Sequence, residues 1–148
     1  MKPALADVLG ALSARVFGEI APLLPAGYPQ SDAMVMALLL AAAAEEHERA
    51  AEVRRADIED LRALFRKVLP SLSGVAVRDT VASAAELEPK SLRISDLDAC
   101  GDKLSAALIE LHAYVEQREE PWAREIERDI WAVLRASTGR RAFKTGPF

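Results

Sequence analysis

The chain has 148 residues, of which 51% are hydrophobic and 5% aromatic, and its formal net charge is −4. This length suits one domain, and this hydrophobic content excludes a wholly disordered chain. Four basic residues and no acidic one lie from Arg135 to the C-terminus, so the rest carries −8, from 15 basic and 23 acidic residues. An acidic body argues against nucleic-acid binding, which draws its affinity from neutralising phosphates.

The N-terminal segment carries Asp7 and lacks the apolar core of a signal peptide. The longest strictly apolar run, residues 33–44, is too short to span a bilayer. The single cysteine, Cys100, cannot close an intrachain disulfide and so gives no sign of an oxidising compartment. These features predict a cytoplasmic protein that does not contact membranes.

The first predicted helix spans residues 3–20, with Pro3 in its first turn. Three prolines and a glycine between residues 21 and 30 then predict a connection. The apolar residues of this helix recur at the helical period along one face, at Leu5, Val8, Leu9, Leu12, Val16 and Ile20.

The second predicted helix begins at an N-cap, Ser31, which Asp32 follows with a charge that suits a helix N-terminus. Residues 33–44 contain no polar side chain. A helix that is apolar on every side must be covered on every side. This segment is therefore expected at the centre of a bundle or in a core shared with a second subunit.

Beyond residue 44 the second helix becomes amphipathic, with two polar interruptions, His47 and Arg54, in its apolar seam. Continuity through Asp57 is favoured over a break there, which makes the helix about 55 Å long. A compact domain of this size is about 40 Å across, so such a helix would overhang or be covered by a partner. The seam alternates steps of four and three through Leu40, Ala44, His47, Ala51, Arg54, Ile58, Leu61, Phe65 and Val68.

Three further helices are predicted: a short one from Asp79 or Thr80 to Leu87, one from an N-cap at Ser95 to about residue 118, and one over 121–139. Residues 71–95 carry the weakest pattern, and Gly139 is expected to end the last helix. The predicted fold is an all-α bundle of four long helices and one short helix around a long central second helix. One domain over 1–139 and a basic, loosely held tail over 140–148 are expected.

The densest polar cluster surrounds His47, between Glu45 and Glu48, and His112 lies on the fourth helix. Bundles can hold metals with Glu-x-x-His pairs that point inward, but this sequence contains no such pair. A solvated helix face with one half-buried histidine is therefore the expected structure. No catalytic residue, metal ligand or cofactor is predicted.

Arg54 on the seam is expected to pair with a carboxylate at a dimer interface or ligand pocket, or to reach water from the seam edge. Trp131 lies off the apolar stripe of its helix and could anchor an interface, although packing at the core edge is the alternative. Cys100 is expected to be buried and unreactive.

Together these features predict a binding or assembly module that acts as a homodimer and does not catalyse a reaction. The candidate ligand or interface residues are His47, Arg54, Glu45, Glu48, His112 and Trp131. Two alternatives remain open at this point. One is a metal-dependent or small-molecule enzyme with a carboxylate and histidine site inside the bundle. The other is a regulator that docks through its basic tail, Arg140 to Lys144.

Overall fold

The computed structural model describes residues 3–143, and these residues form helices, turns and loops without any strand. The predicted all-α bundle, with a long second helix and one short helix, is confirmed. Within the described residues no helix is long and apolar enough to cross a membrane. The five helices are α1 (Leu5–Arg15), α2 (Tyr28–Val68), α3 (Arg78–Ala85), α4 (Ile94–Glu116) and α5 (Pro121–Arg141).

The described chain divides into two compact units: residues 3–50 with Phe143, and residues 51–142. The helix α2 contributes residues 28–50 to the first unit and 51–68 to the second. The single domain expected over residues 1–139 stays a prediction.

The helix α2 starts earlier than the sequence predicts. The N-cap assigned to Ser31 is wrong, because the Ser31 amide already donates to the Gly27 carbonyl at 3.0 Å inside the first turn. Gly27 has φ of 113°, a left-handed conformation that glycine adopts without steric cost. Pro29 follows within the first turn, where its missing N–H costs no hydrogen bond.

The predicted continuity of α2 is confirmed, since it runs through Asp57 to Val68 as one helix of 41 residues. At 1.5 Å per residue its length is about 60 Å. A 3₁₀ turn, Leu69–Leu72, follows it and contains Pro70, which cannot continue the α-helical hydrogen bonding.

In the first unit, α1 and the first half of α2 form a helical hairpin. After α1 the chain continues as a π-helical turn, Val16–Ile20, and a 3₁₀ turn, Ala21–Leu23, so the connection is shorter than expected. The Ser13 hydroxyl donates to the carbonyl oxygen of Ala37 at 2.7 Å, which requires a close approach of the two helices. The buried residues between 3 and 50 are all small: Ser13, Ala21, Ala33, Ala37 and Ala50.

The second unit has a core of large apolar side chains from the second half of α2, α3, α4 and α5. Phe65, Leu104 and Leu111 have no exposed surface. Such complete burial contributes roughly 1.5–3 kcal/mol for each large apolar side chain. The largest of the fully buried side chains are Phe65, Leu72, Leu97, Leu104, Leu111, Ile130, Val81 and Val115.

The start of α4 also differs from the prediction. The N-cap at Ser95 is wrong, because the helix begins at Ile94 and its N-cap is Arg93, without a side-chain cap. The polar group at this turn is instead Ser91, whose hydroxyl accepts from the Arg93 amide at 3.1 Å and donates to Asp96 at 2.6 Å.

The last helix begins at Pro121 as predicted but continues past Gly139 to Arg141. The prediction that Gly139 ends it is wrong, because Arg140 and Arg141 form ion pairs with α2 that hold the final turn. These two arginines, which the sequence placed in a loosely held tail, are therefore helical. Residues 144–148 of that tail lie outside the described residues.

Candidate functional surface

The first unit exposes its large apolar side chains instead of burying them. Between residues 3 and 50 no Leu, Ile, Val, Met or Phe side chain is buried. Twelve large hydrophobic residues of this region are 36–88% exposed, and we call them the hairpin apolar surface. They are Leu5, Val8, Leu12, Phe17, Ile20, Leu23, Tyr28, Met34, Val35, Met36, Leu38 and Leu39.

This surface surrounds α2 on every side that α1 leaves open. The buried Ala33 and Ala37 mark the side of α2 that faces α1. Because successive helical residues are about 100° apart, Val35 and Leu39 lie roughly opposite that side. Met36, on one of the flanks between these two sides, is 60% exposed. The side of the helix away from α1 is therefore apolar and uncovered within the described chain.

The hairpin apolar surface is large for a chain of this size. With roughly 150–200 Å² for each fully exposed side chain, its twelve members present on the order of 1,000 Å². The largest apolar patch on a typical monomer is roughly 300–600 Å². A standard protein interface covers roughly 800 Å² on each partner. The summed exposed area of the twelve residues, which lie on several sides of the hairpin, is thus comparable with one side of an interface.

Charged residues follow the uncharged segment of α2, residues 33–44. Glu45 and Arg49, one turn apart on α2, form an ion pair at 2.6 Å, and both side chains are largely buried. His47, placed on the seam by the sequence pattern, is exposed, as is Glu48. Two of the predicted site residues therefore lie on a solvated helix face.

His112 belongs to the second unit, where the structure brings it against another predicted site residue, Trp131. Their rings meet edge to face with centroids 5.6 Å apart. The His112 Nε2 atom is buried, lies 3.4 Å from a carboxylate oxygen of Glu116, and makes no hydrogen bond with the described residues. Trp131 is 46% exposed and thus packs at the edge of the core.

The described residues do not assemble a metal site: among them, no three His, Cys, Asp or Glu side chains lie close enough to hold an ion. Glu45, His47 and Glu48 belong to the first unit, and His112 belongs to the second. The acidic pair Asp57 and Asp60, one turn apart on α2, binds arginines instead.

These arginines come from the end of α5. Asp57, whose side chain is 12% exposed, accepts from Arg140 at 2.8 and 3.0 Å and from Arg141 at 2.5 Å. Asp60 accepts from Arg140 at 2.6 Å. These hydrogen bonds raise the pKa of the Arg140 guanidinium against the opposing effect of its desolvation. Local sequence patterns do not predict this cluster, because its arginines lie 80–84 positions from its carboxylates.

Arg54 has the carboxylate partner that the sequence predicts. Its Nε atom donates to Asp98 of α4 at 2.7 Å. Beside this ion pair lies a pocket of about 180 Å³ within the second unit, bordered by α2, α4 and α5. The apolar residues that line the pocket are Ile58, Leu61, Leu97, Leu108, Val133 and Leu134.

Cys100 is buried in the core of the second unit, as expected. Desolvation raises the pKa of its thiol above the ordinary value, although the positive charges of Arg62 and Lys103 oppose this. A raised pKa leaves less of the nucleophilic thiolate at pH 8. We expect the folded protein to react with a thiol-specific disulfide reagent at least roughly tenfold more slowly than the urea-unfolded chain. Equal rates in the two states would contradict this.

Comparisons with protein-family models, with curated proteins and with solved structures found no match for this chain. Function is therefore inferred from the geometry of the chain itself. Two features bear on it: the hairpin apolar surface of the first unit and the pocket of the second.

Proposed function

We propose that this protein is an assembly module that acts as a homodimer and pairs through the hairpin apolar surface. One observation carries the proposal: residues 5–39 expose twelve large hydrophobic residues, while the hairpin buries only alanines and a serine. This inverts the usual arrangement of a folded unit, in which large apolar side chains are buried and small ones fill the gaps. The hairpin therefore presents the apolar side chains of a core without the elements that would cover them.

Pairing of two hairpins supplies the missing half. Contacts through Ser13, Ala33 and Ala37 bring α1 and α2 close together but bury little apolar area. When two such hairpins pack together, their outward leucines, valines and methionines form the centre of a four-helix bundle. Burial of that area stabilises the dimer by the hydrophobic effect, at roughly 25 cal/mol per Å² before the cost of association.

The absence of charge from the central part of the surface favours a second copy as the partner. In a two-fold dimer the same patch meets itself, so a charge near the axis lies close to its own copy and repels it. Residues 33–44 carry no charge. A twofold axis can therefore pass through this segment without bringing like charges together.

Sedimentation equilibrium of the full chain tests the proposal directly. We expect a mass of twice the 16.1 kDa chain across the low micromolar range. A standard-sized interface of good quality gives micromolar or tighter affinity. A concentration of 100 micromolar is on the order of a hundred times the expected Kd. A single species of monomer mass at that concentration would overturn the proposal.

Neither alternative function has structural support comparable to that of the homodimer. The proposed basic docking tail depends on Arg140, Arg141 and Lys144, and two of these bind Asp57 and Asp60. Lys144 lies outside the described residues. A metal-dependent site would need ligands that the described residues do not bring together.

A further inference from the structure

We propose that the pocket between α2, α4 and α5 binds a small organic cation that joins an ammonium group to an aromatic ring or short alkyl chain. This proposal does not depend on the homodimer. The pocket lies within residues 51–142, whereas the hairpin apolar surface lies within residues 5–39. Each proposal can therefore fail while the other stands.

The volume and apolar lining of the pocket set the size of the ligand. Its volume is about 180 Å³. An engineered apolar cavity of roughly 150 Å³ accepts benzene, so this pocket has room for one ring with a short substituent. Ile58, Leu61 and Leu108 are among the aliphatic side chains that would contact the ring.

The charged side chains that line the pocket determine the sign of the charge that a ligand should carry. Arg54 is paired with Asp98 at 2.7 Å, and Arg141 is paired with Asp57 at 2.5 Å. Asp102 also lines the pocket, but its side chain makes no hydrogen bond or ion pair with any described residue. Each guanidinium is therefore matched by a carboxylate, and one negative charge is left over.

This arrangement of charges favours the binding of a cation and opposes the binding of an anion. An ammonium group at the rim can approach Asp102 without breaking an existing ion pair, and the hydroxyls of Ser105 and Ser137 can accept from it. A carboxylate ligand would be repelled by Asp102, and the nearby charges of Asp98 and Asp57 already offset those of the two arginines. Preference for the cation is thus a specific consequence of the unpaired carboxylate.

Gly101 offers a way to fill the pocket without damaging the fold. It lies in the interior of α4 and lines the pocket, and a Cβ atom built there meets no atom within 4 Å. The Cβ atom of a larger side chain can therefore enter the open space without displacing a neighbour. Replacing glycine inside a helix also favours the helix by roughly 0.5–1 kcal/mol. Circular dichroism of Gly101→Leu checks that a loss of binding is not a loss of the fold.

The probe is 2-phenylethylammonium at pH 7, compared with 3-phenylpropionate, an anion of similar shape. Titration of the full ¹⁵N-labelled chain is followed by amide shifts around the pocket. We expect a Kd for the cation on the order of 1 mM, as suits a ligand of this size. We expect the anion to bind at least about tenfold more weakly.

Three variants complete the test. Gly101→Leu should abolish the shifts, and Asp102→Asn should weaken the cation about five- to tenfold and bring the two probes closer in affinity. Gly10→Leu, the same change at a helical glycine of the first unit that also has no atom near its Cβ, should leave binding unchanged. No binding of the cation at 10 mM, equal binding of the anion, or undiminished binding by Gly101→Leu would each overturn the proposal.

Discussion

The Leu39→Lys variant is expected to be a monomer at concentrations where the unchanged chain is a dimer. Leu39 is 61% exposed and lies on the side of α2 roughly opposite α1, at the centre of the uncharged segment. The dimer contains two copies, and each loses the burial of a leucine, worth roughly 1.5–3 kcal/mol. The Kd should therefore rise by about 10²- to 10⁴-fold, which sedimentation equilibrium measures directly.

Leu92→Lys is the matched control. Leu92 is 65% exposed but belongs to the second unit, outside the hairpin apolar surface. The same substitution there should leave the dimer intact. If Leu39→Lys and Leu92→Lys give the same Kd as the unchanged chain, the pairing does not use the hairpin apolar surface.

The second large effect is expected at Asp57. Its carboxylate accepts from both Arg140 and Arg141 and is only 12% exposed. Asp57→Ala would leave two guanidinium groups without this partner beside the core. Removal of one member of a buried pair costs roughly 3–5 kcal/mol, and the partial exposure of the arginines reduces this to about 2–3 kcal/mol. Urea unfolding monitored by circular dichroism gives the free energy of unfolding.

Asp60→Ala separates this effect from general loss of charge. Asp60 is 41% exposed and accepts one hydrogen bond, from Arg140. An exposed pair of this kind contributes roughly 0–1 kcal/mol. The free energy of unfolding should therefore fall by less than half as much as in Asp57→Ala. Equal losses in the two variants would show that Asp57 has no special place in the cluster.

The features of this fold that the sequence predicts are those set by short-range periodicity. Apolar residues at helical spacing predict the five helices and the continuity of α2 through Asp57. The absence of polar residues over 33–44 predicts a segment that is covered on all sides, but the described chain leaves its large side chains exposed, and cover by a second copy stays a prediction. The carboxylate partner of Arg54 could be expected, because a partly buried guanidinium requires one, but its identity as Asp98 could not.

Helix ends depend on contacts that local patterns do not contain. Ser31 is a good N-cap residue, yet Gly27 and Pro29 start the helix one turn earlier. Gly139 is a common helix terminator, yet the ion pairs of the next two residues carry α5 further.

Contacts between residues that are distant in the chain are likewise not predicted by local sequence patterns. Asp57 and Arg140 are 83 positions apart. Their pairing depends on how α5 packs against α2, as the His112–Trp131 contact depends on α4 and α5. The pocket has the same origin, since three helices must pack before it exists.

The continuous helix α2 passes through two units that bury it very differently. Residues 51–68 carry core side chains such as Phe65, whereas residues 28–50 bury only alanines within the described chain. Local opening of a helix costs roughly what its buried contacts contribute, so the two halves have unequal free energies of opening. If the first half gains its cover from a second copy, its stability obeys mass action and rises with protein concentration. One helix then combines two segments. The stability of residues 51–68 does not depend on protein concentration, whereas residues 28–50 become more ordered as the concentration rises.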